Sequence, residues 1–193
     1  RDPDDEPADE YVYDPLDPVP TVGGRFWGMR GEVPGPRDQG RIERRNDVLC
    51  YTSAELPRDL EVTGPVVLRL FAASSAVDTD FAAKLTDVFP DGRSMLVAEG
   101  IQRARYRRRD LVPEPIEPHR IYEYEIHLGN TSYVFRKGHR IRLHVTSSNF
   151  PLYDRNMNTG RGIGEDAEGV PARQTVFHDR NHPSRLVLPI RKE

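Results

Sequence analysis

Cysteine is nearly absent from this sequence. Cys50 stands alone, which excludes an internal disulfide and a cysteine-based zinc cluster. Long apolar runs are missing too: none approaches the roughly 18 residues that a membrane-spanning helix needs, and no signal-like stretch opens the chain. Basic charge is not in excess either. With 28 Lys and Arg against 31 Asp and Glu, the net charge of −3 lacks the footprint of a nucleic-acid binder. Sustained helical spacing is hard to find, tryptophan occurs once, and no repeat shows at solenoid or propeller periods. These absences predict a soluble protein with no nucleic-acid or membrane partner. A lone cysteine fits the cytoplasm better than an oxidising compartment, without forbidding export.

Catalytic signatures are missing in the same way. An α/β-type serine hydrolase sets its nucleophile in a G-x-S-x-G turn, and no such pentapeptide occurs. Gly160, Gly162 and Gly164 alternate too closely for a phosphate-cradling G-x-G-x-x-G, and no strand and helix pattern flanks them. His178 and His182 have metal-like spacing, but HDRNH runs into Pro183 and no third ligand follows. Asp154, Asn156, Asn158 and Glu165 fall at calcium-loop spacing. The position that needs glycine for the sharp turn is Thr159, with Gly160 one place late, so an Asx-turn loop is expected instead. No cofactor or metal is predicted.

What is present is alternation. Val66, Leu68, Leu70 and Ala72 share one strand face, as do Phe81, Ala83 and Leu85. A Pro90-Asp91-Gly92 turn leads into residues 94–98. Tyr122, Tyr124, Ile126 and Leu128 alternate with polar neighbours, as do Ile141, Leu143 and Val145, and then Leu186, Leu188 and Ile190. Period-2 patterning, with 17 prolines and 15 glycines between and around the runs, is the mark of half-buried antiparallel strands. A chain of 193 residues suits one domain, so the fold class is all-β, a two-layer sandwich or jelly roll.

Residues 1–10 are acidic, proline-broken and without a large apolar side chain, as in a solvated linker. Residues 11–24 carry three X-Pro steps that hold the chain extended. The division expected is therefore a connector over 1–24 and a globular domain over 25–193. Arg1 opens the sequence in place of methionine, which suggests a processed protein or a piece of a longer one. Four aromatics border the proline segment: Tyr11, Tyr13, Phe26 and Trp27. They read as an anchor for a partner, or as a plug for one end of the sandwich, with self-association through them as a further expectation. Arg103, Arg105, Arg107, Arg108 and Arg109 form the densest charge cluster. On an extended strand, the odd-numbered four share a side, either as a carboxylate-paired face or as an inter-domain surface. Residues 149–173 are the least patterned and read as a long functional or interface loop.

Several stretches carry a resemblance: DPLDPVPTVGG (14–24), NDVLCYTSAEL (46–56), DTDFAAKLTDVFPDGRS (78–94), KGHRIRLHVTSSNFPLYDRNMNTG (137–160) and PARQTVFHDRNHPSRLVLPI (171–190). In order and in content they resemble the C-terminal domain of cocaine esterase-type hydrolases. That family includes X-prolyl dipeptidyl peptidases, α-amino-acid ester hydrolases and glutaryl acylases. The resemblance implies a jelly-roll domain similar to galactose-binding modules, placed after an α/β-hydrolase domain that carries the Ser, Asp and His of the triad. It implies that none of the six histidines here is catalytic. It also implies that side chains shortly after Gly23-Gly24 line an acyl pocket, which makes Phe26 and Trp27 the pocket candidates. Tyr11, Tyr13, Arg103 and Arg105 are candidates for the inter-domain interface. The expected partners are the upstream catalytic domain and that enzyme's small ester or peptide substrate. A stand-alone carbohydrate-binding module and a purely structural or oligomerising domain are the alternatives.

Overall fold

Alternating patterns dictate strands, and the computed structural model, which describes residues 5–25, 33–108 and 112–191, contains nine of them. They are β1 (Asp9–Tyr13), β2 (Leu49–Thr52), β3 (Leu60–Ser74), β4 (Asp80–Val88), β5 (Ser94–Arg103), β6 (Tyr122–Phe135), β7 (Arg140–Thr146), β8 (Ala172–Phe177) and β9 (Arg185–Val187). Two short 3-10 turns, Ile42–Arg44 and Ala104–Tyr106, are the helical pieces among the described residues, and no helix there is long and apolar enough to cross a membrane.

One sheet has the order β1-β8-β3-β6, with β9 also pairing β3; the other has the order β2-β7-β4-β5. All of these pairings are antiparallel. The core lies between the two layers. Val66, Leu68, Leu70 and Ala72 of β3 face Phe81, Ala83 and Leu85 of β4, with Tyr124, Ile126 and Leu128 of β6 completing it. The Phe81 and Tyr124 rings meet at 4.8 Å between centroids. Full burial of each such side chain is worth roughly 1.5–3 kcal/mol, which makes this seam the main source of stability.

The structure departs from the sequence pattern in four places. Residues 9–13 are not connector: they form β1 and pair with β8 from Asp9↔Val176 to Tyr13↔Ala172. The final strand is shorter than the Leu186–Leu188–Ile190 alternation suggests, with Ile190 exposed and held to Val62 by an isolated bridge. β6 runs past Leu128 to Phe135 through a register shift opposite Val66/Val67, where Gly129 takes φ 96°. That extra residue changes the inward parity, so Phe135 is buried and Val134 is not. Finally, the arginine run is not one extended face, because Ala104–Tyr106 turns as a 3-10 helix.

Every residue of β4 is buried, so both its faces are covered. The outer cover is the chain between β1 and β2. Residues 37–39 run beside β5, with Leu96 N–H donating to the Arg37 carbonyl and Gln39 N–H to that of Ser94. Val19, Ile42 and Val48 make a small second core in this cover.

Candidate functional site

The cover has polar contacts with the outer face of the four-stranded sheet. Cys50, His144, Lys84 and Glu99 stand in register across β2, β7, β4 and β5. Lys84 and Glu99 are each only 2% exposed. Lys84 Nζ donates to Gln39 Oε1 at 3.1 Å, and Gln39 Nε2 donates onward to the Val22 and Arg37 carbonyls at 2.9 and 3.1 Å. Burial drives the Lys84 ammonium down to about 8, against the pull of the Glu99 charge. Next along, His144 Nε2 and Glu43 Oε1 lie 2.8 Å apart, and Arg142 pairs with the other Glu43 oxygen. Burial holds the His144 pKa below the usual range, and its Nδ1 has no partner among the described residues.

Glu99, at the β5 end of this row, holds a turn. Its Oε1 accepts the Arg25 N–H at 3.1 Å, Oε2 accepts Asn149 Nδ2 at 2.8 Å, and its carbonyl accepts Arg25 Nη2 at 2.9 Å. Arg25 Nη2 also reaches the Tyr153 hydroxyl at 3.0 Å. Gly23 and Gly24 both have positive φ, 69° and 72°, and a Cβ on Gly24 would collide with the Glu99 carboxylate, so the approach requires glycine. Gly24 and Gly35 exchange backbone hydrogen bonds of 2.7 and 2.8 Å. The result is a neck: Gly24 and Gly35 are held together, with Arg25 seated on Glu99. Strand-like pairing of residues 19–21 with the loop after β7 fixes the approach from the other side. Phe150 N–H donates to the Val19 carbonyl and Thr21 N–H to that of Phe150, while Thr21 Oγ1 donates to the Asn149 carbonyl.

Phe26 and Trp27, the predicted pocket residues, lie outside the described residues, as does Arg109. Tyr11 and Tyr13 are not surface. Both are buried in the domain's own core, and their hydroxyls donate to or share a hydrogen with Ser147 Oγ and donate to the Asn156 carbonyl, respectively. Inward-facing alternation in β1 is the reason. Arg103 and Arg105 are likewise turned inward. Arg103 forks onto Asp80 at 2.8 and 2.9 Å, and Arg105 Nε binds Asp78 at 2.7 Å. Asn156 Nδ2 bonds both aspartates, so this network pins the long loop. Asp154 pairs with Arg103, Asn158 N–H donates to Asn156 Oδ1 in an Asx turn, and Glu165 accepts the Gly162 N–H. Among the described residues, no group of three or more His, Cys, Asp or Glu is placed to hold a metal ion.

A concavity of about 850 Å³ opens at the β2 edge, the far side of its sheet from Glu99. Leu68, Leu70, Val145 and Val176 floor it, and Asp9, Tyr51 and His178 stand at its rim. Asp9 accepts from the Tyr51 hydroxyl at 2.8 Å and faces His178 Nε2 at 3.1 Å, while Glu6 faces Nδ1 at 3.4 Å. Cys50 lines it too; its side chain is exposed, yet partial desolvation by the surrounding protein and the Glu43 charge push the thiol up to about 11, so it is no thiolate at neutral pH. Ser184 Oγ donates to the Phe177 carbonyl and accepts the Phe71 N–H, a structural pairing.

Across residues 1–187 the sequence matches the X-Pro dipeptidyl-peptidase C-terminal non-catalytic domain. The chain belongs to this family. Cocaine esterase of Rhodococcus sp. (strain MB1 Bresler) is 51% identical over 189 residues, 97% of this chain and 33% of the esterase. The crystal structure of an aminopeptidase from a marine sediment Thaumarchaeota archaeon matches with a TM-score of 0.90 at 33% identity, covering 100% of this chain and 34% of that one. An α-amino acid ester hydrolase matches with a TM-score of 0.86 at 30% identity, over 96% of this chain and 33% of the hydrolase. The non-catalytic domain thus spans about a third of the length of these relatives.

Sequence reasoning missed Glu99, Asn149 and the Gly24/Gly35 neck. A faint signal existed: Lys84 and Glu99 are single charges inside otherwise apolar strand runs, FAAKL and MLVAEGI. A charge in such a run marks a buried polar contact on the outer face.

Proposed function

We propose that this chain is the accessory C-terminal domain of a serine hydrolase that cleaves a small ester or peptide. In this reading it packs on an upstream α/β-hydrolase domain, and Phe26 and Trp27 help line the acyl pocket. The observation that carries the reading is the neck. Gly24 and Gly35 are paired, Arg25 is seated on a buried carboxylate, and the next two residues in the sequence are large aromatics. A loop fixed at its base can hold hydrophobic side chains in a neighbouring domain's pocket with little ordering cost on docking. The surroundings suit a docking face. Leu16 is 65% exposed and Phe150 40%, and both flank the paired 19–21 segment. The names of the relatives, an esterase, an ester hydrolase and an aminopeptidase, share the chemistry of acyl transfer to water. The nucleophile belongs to the upstream domain, since this sequence has no G-x-S-x-G.

The test compares p-nitrophenyl benzoate with p-nitrophenyl acetate in the longer hydrolase that contains this chain. Trp27→Ala should lower kcat/KM for the benzoate at least tenfold relative to the acetate. A ratio within twofold of the unsubstituted enzyme removes Trp27 from the acyl pocket.

A further inference from the structure

We propose that the cavity at the β2 edge is a binding site for a lipophilic primary amine, held protonated, with its hydrocarbon body between the sheets and its ammonium at the mouth. The opening follows from the strand pairing. β8 pairs with Phe71–Ser74 of β3 and β9 with Val67–Arg69, so Leu70 falls in the gap between them. Across the sandwich the other sheet ends at β2, which is only four residues long. Leu68, Leu70, Val145 and Val176 on the floor are at most 1% exposed, and half-buried Leu186 adds to the apolar wall. A volume of about 850 Å³ suits a small organic molecule, whose sites run from roughly 300 to 1,000 Å³.

The polar groups at the mouth select the head group. The Tyr51, Ser53 and Ser184 hydroxyls already donate, to Asp9 Oδ2, the Ala54 carbonyl and the Phe177 carbonyl. Acceptor capacity is what remains: no described residue donates to Asp9 Oδ1 or Glu6 Oε1, and the two side chains are 45% and 52% exposed. His178 stands between them, with Nε2 3.1 Å from Asp9 and Nδ1 3.4 Å from Glu6. Arg185, the other cationic side chain of the lining, is exposed and turns Nη1 to the Pro183 carbonyl at 3.2 Å. An ammonium brings three donors to the spare oxygens and gains further from the face of the Tyr51 ring. A carboxylate head would meet Glu6 and Asp9 as like charges.

The test is isothermal titration calorimetry at pH 7 on the longer hydrolase that contains this chain, with n-octylamine, 1-octanol and octanoate as probes. Octylamine should bind at least tenfold more tightly than octanol, and octanoate most weakly of the three. Glu6→Gln/Asp9→Asn keeps the shape of both side chains and an acceptor for Tyr51. It should weaken octylamine about tenfold while moving octanol less than twofold. Leu186→Trp fills the apolar part of the cavity and should weaken amine and alcohol alike, at least fivefold; it decides alone if the double variant fails to fold. Octylamine that binds no more tightly than octanol, or that binds within twofold of the unsubstituted enzyme in the deciding variant, overturns the proposal. Binding weakened by Trp27→Ala and by neither cavity variant assigns the amine to another site and overturns it as well.

Discussion

Replacing Arg103 by methionine keeps the aliphatic stem and deletes the guanidinium that forks onto Asp80. Asp80 is 2% exposed and would keep Asn156 Nδ2 as its side-chain partner, at 3.0 Å. Removing one member of a buried pair costs about 3–5 kcal/mol, because the remaining charge is left uncompensated. For a domain of this length that corresponds to a melting temperature lower by about 6–20 °C. The loss has a predictable pH dependence. Burial pushes the Asp80 pKa up, and the Arg103 hydrogen bonds and charge oppose it. Without Arg103 the folded-state pKa rises further above the unfolded value. The protonated form then stabilises the fold at low pH, and that contribution is lost as pH rises through the folded pKa. The variant's deficit should therefore be larger at pH 8 than at pH 5. Urea denaturation followed by circular dichroism at both pH values measures it, with limited proteolysis of residues 149–173 as a local readout. Arg173→Met, at the exposed pair with Glu10, is the control and should cost under about 1 kcal/mol. A deficit for Arg103→Met below 1 kcal/mol at pH 8 would show that the network does not hold the loop and that the arginine is free to serve elsewhere.

Four other outcomes follow from the same contacts. Burial disfavours the Glu43 carboxylate, but the His144 hydrogen bond and the charges of His144 and Arg142 outweigh it and bring its pKa to about 2. Its folded value is depressed, so its contribution is present above the unfolded pKa and is lost as pH falls toward 2. Glu43→Gln should remove about 2 kcal/mol of the stability change between pH 5 and pH 2, seen in acid titrations of denaturant midpoints. Lys84 is depressed to about 8, so the unfolded state binds more protons than the folded one above that point. Stability should rise between pH 8 and 9.5, and Lys84→Met should flatten the rise; an equally steep slope in the variant would assign it to another group. A Cβ at Gly100 would strike the His127 carbonyl where β5 passes β6, so Gly100→Ala should destabilise by more than about 2 kcal/mol in chemical denaturation. Millimolar calcium should leave the melting temperature unmoved, because Asn156 Oδ1 already accepts the Asn158 N–H and Asp154 is paired with Arg103; a ligand at a hundredfold its dissociation constant would add about 2.7 kcal/mol.

The sandwich was legible wherever one strand face stays in phase with the core. The runs around Leu68, Leu85, Ile126 and Leu143 declare themselves by simple alternation, and each is a strand in the structure. Legibility failed where phase breaks or where the partner is distant. The bulge beside Gly129 hides the second half of β6, because alternation restarts on the other parity. β1 looks like a tail because acids and prolines surround its two inward tyrosines, and its strand partner among the described residues lies near the other end of the chain. Of the candidate site the Gly-Gly pair was legible but not what holds it, and the aromatic candidates Phe26 and Trp27 lie outside the described residues. Glu99 and Asn149 are 50 residues apart, and no local pattern relates them. Arg103 and Arg105 were visible as charge, yet only the tertiary fold brings Asp78 and Asp80 beneath them.

The pairing of β1 with β8 also sets an order of events in time. Asp9 meets Val176, so the first strand must wait for almost the entire domain before it has a neighbour. During synthesis at roughly 5–20 residues per second, that wait lasts on the order of ten seconds or more. Until then the nascent N-terminal segment has no template within its own domain, and β8 emerges with its edge bare. Closure over so long a loop is slow by the entropy of bringing distant segments together, which places folding of this domain at the millisecond-to-second end of the range or beyond. At high local concentration, as on a polysome, the β8 edge of one chain is open to the first strand of another. Intermolecular exchange of β1 is therefore the characteristic way for this domain to misassemble, and crowding of nascent chains is the condition that selects it.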